Sequence, residues 1–142
     1  MDPVLVFRHG DDIPLGLLGE ALDVAAVPVV EVMLNHGDPI LPLEGFSGLV
    51  VLGGVMGAYD EAVHSWLTAE KRAISDAHAA GLPMLGICLG CQLFADALGG
   101  VAYRAESAPE IGHLLPELTA EAAADPMLRH FDQPVVVFHQ DS

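Results

Sequence analysis

The sequence predicts an α/β fold with an open, mostly parallel sheet and helices on both faces. Short apolar runs alternate with segments whose apolar residues recur at helical spacing. One run, Ser47–Leu52, is almost uniformly apolar, as expected of a strand that is covered on both faces. Glycine-bearing polar loops follow the apolar runs, as is usual where strands lead into helices of such a sheet.

The first part of the chain predicts a β-α unit followed by two strands. Pro3–Phe7 forms the first strand, and Pro14–Asp23 carries leucines at helical spacing. A polar loop, Arg8–Asp12, joins the two segments at the carboxyl end of the strand. The second and third strands are predicted at Val27–Val32 and Ser47–Leu52.

The middle of the chain predicts two helices around a fourth strand. The first helix covers Ser65–Ala80, with Ser65 as its N-cap and Gly81 as its end. Pro83 starts the fourth strand, and a helix with apolar residues from Leu89 to Leu98 follows it until two glycines stop it. Later strands are predicted at Val101–Tyr103, Glu110–Leu115 and Val135–Phe138, while Thr119–Leu128 is compatible with a short helix or a loop.

Length and composition predict one domain, residues 1–142, with a sizeable core, because 52% of the residues are hydrophobic. Five basic and 20 acidic residues give a net charge of −15, which argues against nucleic acid or an anionic membrane as a partner. The acids are scattered, so they favour solubility or a salt-adapted proteome. No basic leader and no long apolar run is visible, so we expect a cytoplasmic, thiol-reducing location.

A single cysteine occupies the most informative position in the sequence. Cys88 lies where the fourth strand turns into a helix, with Gly86 and Gly90 two residues to either side. This is the pattern of a nucleophile elbow. The start of the helix favours the thiolate form, and the N–H of Leu89 is placed to hold an oxyanion.

Two plainer interpretations of the cysteines stay open. Cys88 can be a small buried core residue, as many free cysteines are. With Cys91 it also forms C-x-x-C, a pattern of redox and metal sites. No second cysteine pair exists to complete a zinc site, so we expect neither a metal nor a cofactor.

A second glycine-rich loop follows the third strand, at Gly53–Gly57. Three glycines in five residues suit either an ordinary flexible loop or a close approach to a ligand. Ligands of open parallel sheets bind outside the carboxyl ends of the strands, where this loop and Cys88 both lie. The N–H groups of Gly54 and Val55 can therefore face the same carbonyl as that of Leu89.

Several segments together resemble the class I, triad-type glutamine amidotransferases, whose fold is flavodoxin-like. The most specific is Gly86–Gln92, G-I-C-L-G-C-Q, which resembles the family's nucleophile elbow. Val51–Asp60 resembles its oxyanion loop, and the segments around Leu98–Gly100, Glu110–Gly112 and His139–Asp141 are also similar. The pattern resembles the free-standing branch related to the glutaminase domain of GMP synthase.

The resemblance implies hydrolysis of L-glutamine to glutamate and ammonia through a γ-glutamyl thioester. Cys88 would be the nucleophile, and the N–H groups of Gly54 and Leu89 would form the oxyanion hole. Gln92, with Gly53 and Val55, would contact the substrate. The ammonia would pass to a separate synthetase subunit, since nothing in this chain resembles an acceptor domain.

Two departures from the family pattern matter. Val55 stands where the family usually has proline, which keeps one more N–H in the loop. The family's late H-x-E segment, which supplies the base and its carboxylate, is absent from the printed sequence. His139 belongs to an earlier segment, and six histidines are expected at the surface rather than as bases: His9, His36, His64, His78, His113 and His130.

We therefore expect the printed chain to be the N-terminal portion of such a domain, truncated at its C-terminus and impaired in catalysis. Missing strands would expose a sheet edge, so we also expect marginal stability or self-association. Two alternatives keep the fold. The chain can be a cysteine hydrolase or γ-glutamyl peptidase, or it can be a non-catalytic regulatory module.

Overall fold

The computed structural model describes residues 1–104, 111–131 and 136–140. Its backbone divides into two compact units, Met1–Tyr103 and Arg104–Ser142. Whether the two units act as the single domain expected from the sequence stays a prediction.

The first unit contains a four-stranded parallel sheet, as predicted. Its strands are paired in the order β2-β1-β3-β4. Val4 lies opposite Val29 on one side and Gly48 on the other, so β1 is central. The strands span β1 Val4–Arg8, β2 Val29–Met33, β3 Gly48–Val51 and β4 Met84–Gly86.

Helices cover both faces of this sheet, which confirms the predicted architecture. Side chains of β1 alternate between the faces, so Leu5 and Phe7 belong to one apolar cluster and Val6 to another. The first cluster packs against α2 and α3, and the second packs against Leu18 of α1. The helices span α1 Leu17–Val24, α2 Trp66–Ala79 and α3 Leu89–Ala97.

Polar contacts join α2 to its surroundings on the same face. Lys71 is paired with both Glu61 and Asp96, so it links α2 to the preceding loop and to α3. The Ser75 hydroxyl donates a hydrogen bond of 2.9 Å to the carbonyl of Ala97. These contacts fix α3, and therefore the turn that precedes it, against α2.

The predicted helix ends are mostly correct. Gly81 follows α2 with φ +70°, and its N–H bonds to the carbonyl of His78. After α3, Gly99 has φ +94° and the Gly100 N–H bonds to the carbonyl of Ala95. Ser65 was expected to cap α2, but it has helical torsion angles and its side chain makes no capping hydrogen bond.

The second unit contains an antiparallel pair of strands, β5 Ile111–Leu114 and β6 Val137–Gln140, with Gly112 opposite His139. A short 3-10 helix, Ala120–Ala123, lies in the segment Thr119–Leu128 that was compatible with a helix or a loop, and a second one, Leu128–His130, begins at its last residue. Glu110, Val135, Asp141 and Ser142 lie outside the described residues.

The predicted strand at Val101–Tyr103 is wrong. This segment belongs to no strand, and Val101 and Tyr103 are both exposed. An apolar run becomes a strand only when a neighbouring strand offers it hydrogen bonds.

Within the described ranges, no helix is both long and apolar enough to cross a membrane.

Candidate active site

Three loops meet at the carboxyl edge of the sheet, because β1, β3 and β4 are neighbours and run parallel. His9 follows β1, Gly53 and Gly54 follow β3, and Cys88 follows β4. The predicted nucleophile and the predicted glycine loop therefore lie on the same edge.

Cys88 has a strained backbone. Its torsion angles are φ +54° and ψ −113°, in a region that non-glycine residues rarely enter and that costs roughly 1–3 kcal/mol. The residue stands between β4 and the first residue of α3, and it is exposed to solvent. The structure therefore excludes the interpretation of Cys88 as a buried core residue.

The flanking glycines permit close contact between three backbones. A Cβ atom on Gly86 would lie 2.8 Å from the carbonyl carbon of Gly90. A Cβ atom on Gly90 would overlap the carbonyl oxygen of Val51 in β3. That oxygen also accepts a 2.9 Å hydrogen bond from the N–H of Ile87. The G-x-C-x-G spacing thus reflects contact between β3, β4 and α3.

The glycine loop lies against the thiol. A Cβ atom on Gly53 would lie 3.9 Å from the Sγ atom of Cys88. A Cβ atom on Gly54 would lie 2.6 Å from the Cδ2 atom of Leu89, so the loop also touches the start of α3. The Asp60 carboxylate accepts a 2.7 Å hydrogen bond from the Gly57 N–H and braces the far end of the loop.

Backbone N–H groups are available in the glycine loop and at the start of α3. In the part of the chain that the structure describes, neither the Gly54 N–H nor the Leu89 N–H has an acceptor. The next N–H groups of α3, those of Gly90 and Cys91, are used by the carbonyls of Ile87 and Cys88. Free N–H groups near an exposed nucleophile can stabilise an oxyanion.

The remaining predicted site residues lie around this centre. Gln92 is half-buried one turn into α3, and its N–H approaches the Cys88 carbonyl at 3.3 Å. Val55 is 84% exposed at the tip of the glycine loop. Cys91 is exposed as well. Among the described residues, no hydrogen-bond partner contacts the Cys88 sulfur, and no cluster of three metal-binding side chains occurs.

A buried ion pair behind the glycine loop was missed by the sequence analysis. His9, expected at the surface, is only 3% exposed, and Glu70 of α2 is fully buried. The Nε2 atom of His9 lies 2.9 Å from Oε1 of Glu70, and its Nδ1 atom lies 2.9 Å from the carbonyl oxygen of Gly53. The imidazole also stacks on Trp66, with ring centroids 5.4 Å apart.

The surroundings of His9 favour its charged form. Burial lowers the pKa of His9 and is the largest single influence, whereas the hydrogen bond to Glu70 and the charge of Glu70 raise it. The carbonyls of Gly53 and Leu52 add to this effect, so the pKa lies above its ordinary value of 6.5.

The sequence did contain a signal for this pair. Leu67, Ile74 and Ala77 of α2 face the core, and Glu70 lies on the same stripe. A carboxylate on an apolar helix face requires a buried partner. Of the other histidines, His64 is half-buried against Trp66, and His36, His78, His113 and His130 are exposed as expected.

The sequence is similar to proteins of one known family. The family model "Glutamine amidotransferase class-I" matches residues 16–142. A glutamine amidotransferase-like protein of Salmonella typhimurium, YfeJ, is 35% identical over 97 residues, which are 66% of this chain and 40% of the relative. The chain thus spans two fifths of the length of that relative.

Two solved structures are also similar. A glutamine amidotransferase from Thermotoga maritima has a TM-score of 0.88 and 32% identity, covering 99% of this chain and 61% of its own. One from Methylobacillus flagellatus has a TM-score of 0.78 and 30% identity, covering 87% of this chain and 49% of its own.

Proposed function

The chain belongs to the class I glutamine amidotransferases, and on this premise we propose that Cys88 attacks the side-chain amide of L-glutamine. One observation carries the proposal. An exposed thiol on a strained turn lies against Gly53, and the N–H groups of the next residues, Gly54 in that loop and Leu89 in the turn, have no acceptor among the described residues. This is the arrangement that acyl transfer through a thioester requires.

In the first step, the Cys88 thiol loses its proton, the sulfur bonds to the carboxamide carbon, and the C=O π electrons move to the oxygen. The N–H groups of Gly54 and Leu89 hold the resulting oxyanion. Loss of one such donor commonly lowers the rate about 10²–10³-fold. The N-terminal end of α3 adds its partial positive charge at the same place.

In the second step, the oxyanion collapses and the C–N bond breaks. The nitrogen takes up the proton that the thiol lost and leaves as ammonia, which gives a γ-glutamyl thioester. Water then adds to the thioester carbon, the C–S bond breaks, and glutamate and the thiol are released. Ammonia formed in this way would serve a separate synthetase subunit as acceptor.

The first step needs a group close to the sulfur that accepts the thiol proton, and the second step needs that group to deliver the proton to the leaving nitrogen. None of the residues in the described ranges hydrogen-bonds to the Cys88 sulfur, and the expected H-x-E segment is not in the printed sequence. We therefore expect the 142-residue chain by itself to turn glutamine over slowly, while Cys88 still reacts with electrophiles that need little assistance.

The test is covalent labelling with a diazoketone analogue of glutamine. The sulfur–carbon bond forms as N₂ leaves, and the thiol proton goes to the diazo carbon. We expect the L-analogue to label Cys88 at least about tenfold faster than its D-enantiomer, because only a shaped site distinguishes them. Peptide mass spectrometry measures the labelled fraction over time.

Two variants make the result specific. Cys88→Ser should abolish labelling, whereas Cys91→Ser, which removes another exposed thiol three residues later, should leave it unchanged. Equal rates for the two enantiomers, or labelling of Cys91, would contradict the proposal. Hydrolysis of γ-glutamyl peptides without labelling would instead favour a cysteine hydrolase on the same fold.

A further inference from the structure

We propose that His9 and Glu70 are positioning residues. They orient the Gly54 N–H toward the thiol, because His9, held by Glu70, hydrogen-bonds to the Gly53 carbonyl of the same peptide. The inference rests on the proposed function, because the Gly54 N–H matters only if an oxyanion forms there. It starts from two buried polar side chains that the proposed reaction does not use.

The hydrogen bond to Gly53 fixes a whole peptide plane. The carbonyl oxygen of Gly53 can only accept, so the Nδ1 atom of His9, 2.9 Å away, carries the proton. In a trans peptide, the N–H of the next residue points opposite to the carbonyl. The Gly54 N–H therefore points away from the His9 imidazole, and Gly53, the first residue of this peptide, lies against Cys88.

This peptide needs an external restraint. It joins two glycines, Gly53 and Gly54, whose backbones can adopt many torsion angles at little cost. A rotation of the plane would exchange the carbonyl and the N–H and would present an oxygen to the developing negative charge. The imidazole prevents this rotation as long as its own position is fixed.

Three contacts fix the imidazole. Nε2 lies 2.9 Å from the Glu70 carboxylate, and the ring stacks on Trp66 at an interplanar angle of 10°. Trp66 and Glu70 are four residues apart on α2, so they reach the ring from one helix face. The third contact is the one to the Gly53 carbonyl.

The same geometry argues against His9 as the missing base. Both ring nitrogens are engaged, and the residue is almost fully buried. Its Nδ1 atom faces the carbonyl of Gly53, whereas Cys88 borders the Gly53 Cα. His9 thus acts through the backbone rather than on the reacting atoms. The second oxygen of Glu70 has no partner among the described residues, so the carboxylate is held for its contact with His9.

Two substitutions separate the roles of the ring nitrogens. In His9→Asn the amide nitrogen replaces Nδ1 and can still donate to the Gly53 carbonyl. In His9→Gln the longer side chain reaches toward Glu70 and loses that donor. His78→Gln is the matched control, because His78 is an exposed histidine at the end of α2. Circular dichroism checks that each variant is folded.

The readout is the ratio of two labelling rates at Cys88, that of the L-diazoketone analogue and that of iodoacetamide. Iodoacetamide reports exposure of the thiol and needs no oxyanion hole. We expect the ratio to fall about 10- to 100-fold in His9→Gln, in the range expected for a misplaced oxyanion donor. It should change less than about threefold in His9→Asn and in His78→Gln. Equal ratios in His9→Gln and the wild type would overturn the inference.

A second pair of variants applies if His9→Gln does not fold. Glu70→Gln keeps a hydrogen-bonding partner for the imidazole and should retain the ratio. Glu70→Leu fills the same volume without a partner, and the ratio should fall about tenfold. If both variants match the wild type, the inference is wrong.

One further measurement separates failure of the inference from failure of the proposed function. The ¹³C shift of the Gly53 carbonyl reports its hydrogen bond whether or not glutamine binds. If the wild type shows no preference for the L-analogue, the proposed function fails. A shift that moves in His9→Gln but not in His9→Asn then still supports the positioning role, and an unmoved shift overturns it.

Discussion

Cys88 and the His9–Glu70 pair each cost the folded protein free energy, for different reasons. Cys88 is exposed but has a backbone conformation that suits glycine. His9 and Glu70 have ordinary backbones but are buried with their polar groups. Strain and buried polar groups are common at functional sites, and here both border the peptide between Gly53 and Gly54.

The paired His9 should give stability an unusual pH dependence. Its pKa is raised above 6.5 in the folded state, so the folded protein binds more protons than the unfolded chain above that pH. The stabilisation is complete below pH 6.5 and is lost as pH rises through the raised pKa. We expect the free energy of unfolding to fall over this window, by at most about 1.4 kcal/mol per pH unit for one proton.

Urea unfolding between pH 6 and pH 9 measures this effect. The groups that face His9 are Glu70 of α2 and the carbonyls of Leu52 and Gly53, and His64 reaches it only through Trp66. Glu70→Gln is the control, since burial without the carboxylate charge lowers the pKa of His9 and removes the decline. A decline of equal size in that variant would assign the effect to other groups.

At the scale of elements, the segment from β4 to α3 depends mainly on local sequence. Gly86, Cys88 and Gly90 define the turn, and the two glycines admit the contacts with β3 that hold it. The sequence therefore predicted this element correctly. By contrast, the prediction of α2 as an amphipathic helix did not include its polar contacts, in which Glu70 and Lys71 bind different parts of the molecule.

The strained turn predicts a gain of stability when Cys88 is replaced by glycine. Cys88→Gly should raise the free energy of unfolding by about 1 kcal/mol, because relief of the φ +54° strain exceeds the added entropy of the unfolded chain. Cys88→Ala keeps the Cβ atom and should not show this gain.

Equilibrium unfolding in urea compares the two variants directly. Both variants lack the thiol, so a difference between them reports the backbone alone. If the glycine variant is no more stable than the alanine variant, the turn is not strained in solution.

At the scale of the whole molecule, charge is the dominant property. The chain has 20 acidic residues and only five basic ones, and two of the basic residues, Arg8 and Lys71, are already in ion pairs. The excess of negative charge repels itself in the compact state. The expected self-association remains a prediction, and this repulsion opposes it at low ionic strength.

Salt should therefore stabilise the fold. Screening shortens the range of repulsion from about 30 Å at 0.01 M to about 10 Å at 0.1 M ionic strength. We expect the thermal midpoint to rise by several degrees, about 2–5 °C, between these two conditions. NaCl and KCl should act alike, since screening depends on ionic strength. A midpoint that stays constant or falls would show that repulsion does not limit stability.

The sequence by itself determined the parallel α/β architecture, the turn at Cys88 and the glycine loop, because apolar periodicity and glycine spacing are local properties. It did not determine the partner of His9, which is 61 residues away in Glu70. It also predicted a strand at Val101–Tyr103, a segment that pairs with no strand in the part of the chain that the structure describes. Only the tertiary structure decided these points, since burial and pairing depend on which distant segments the fold brings together.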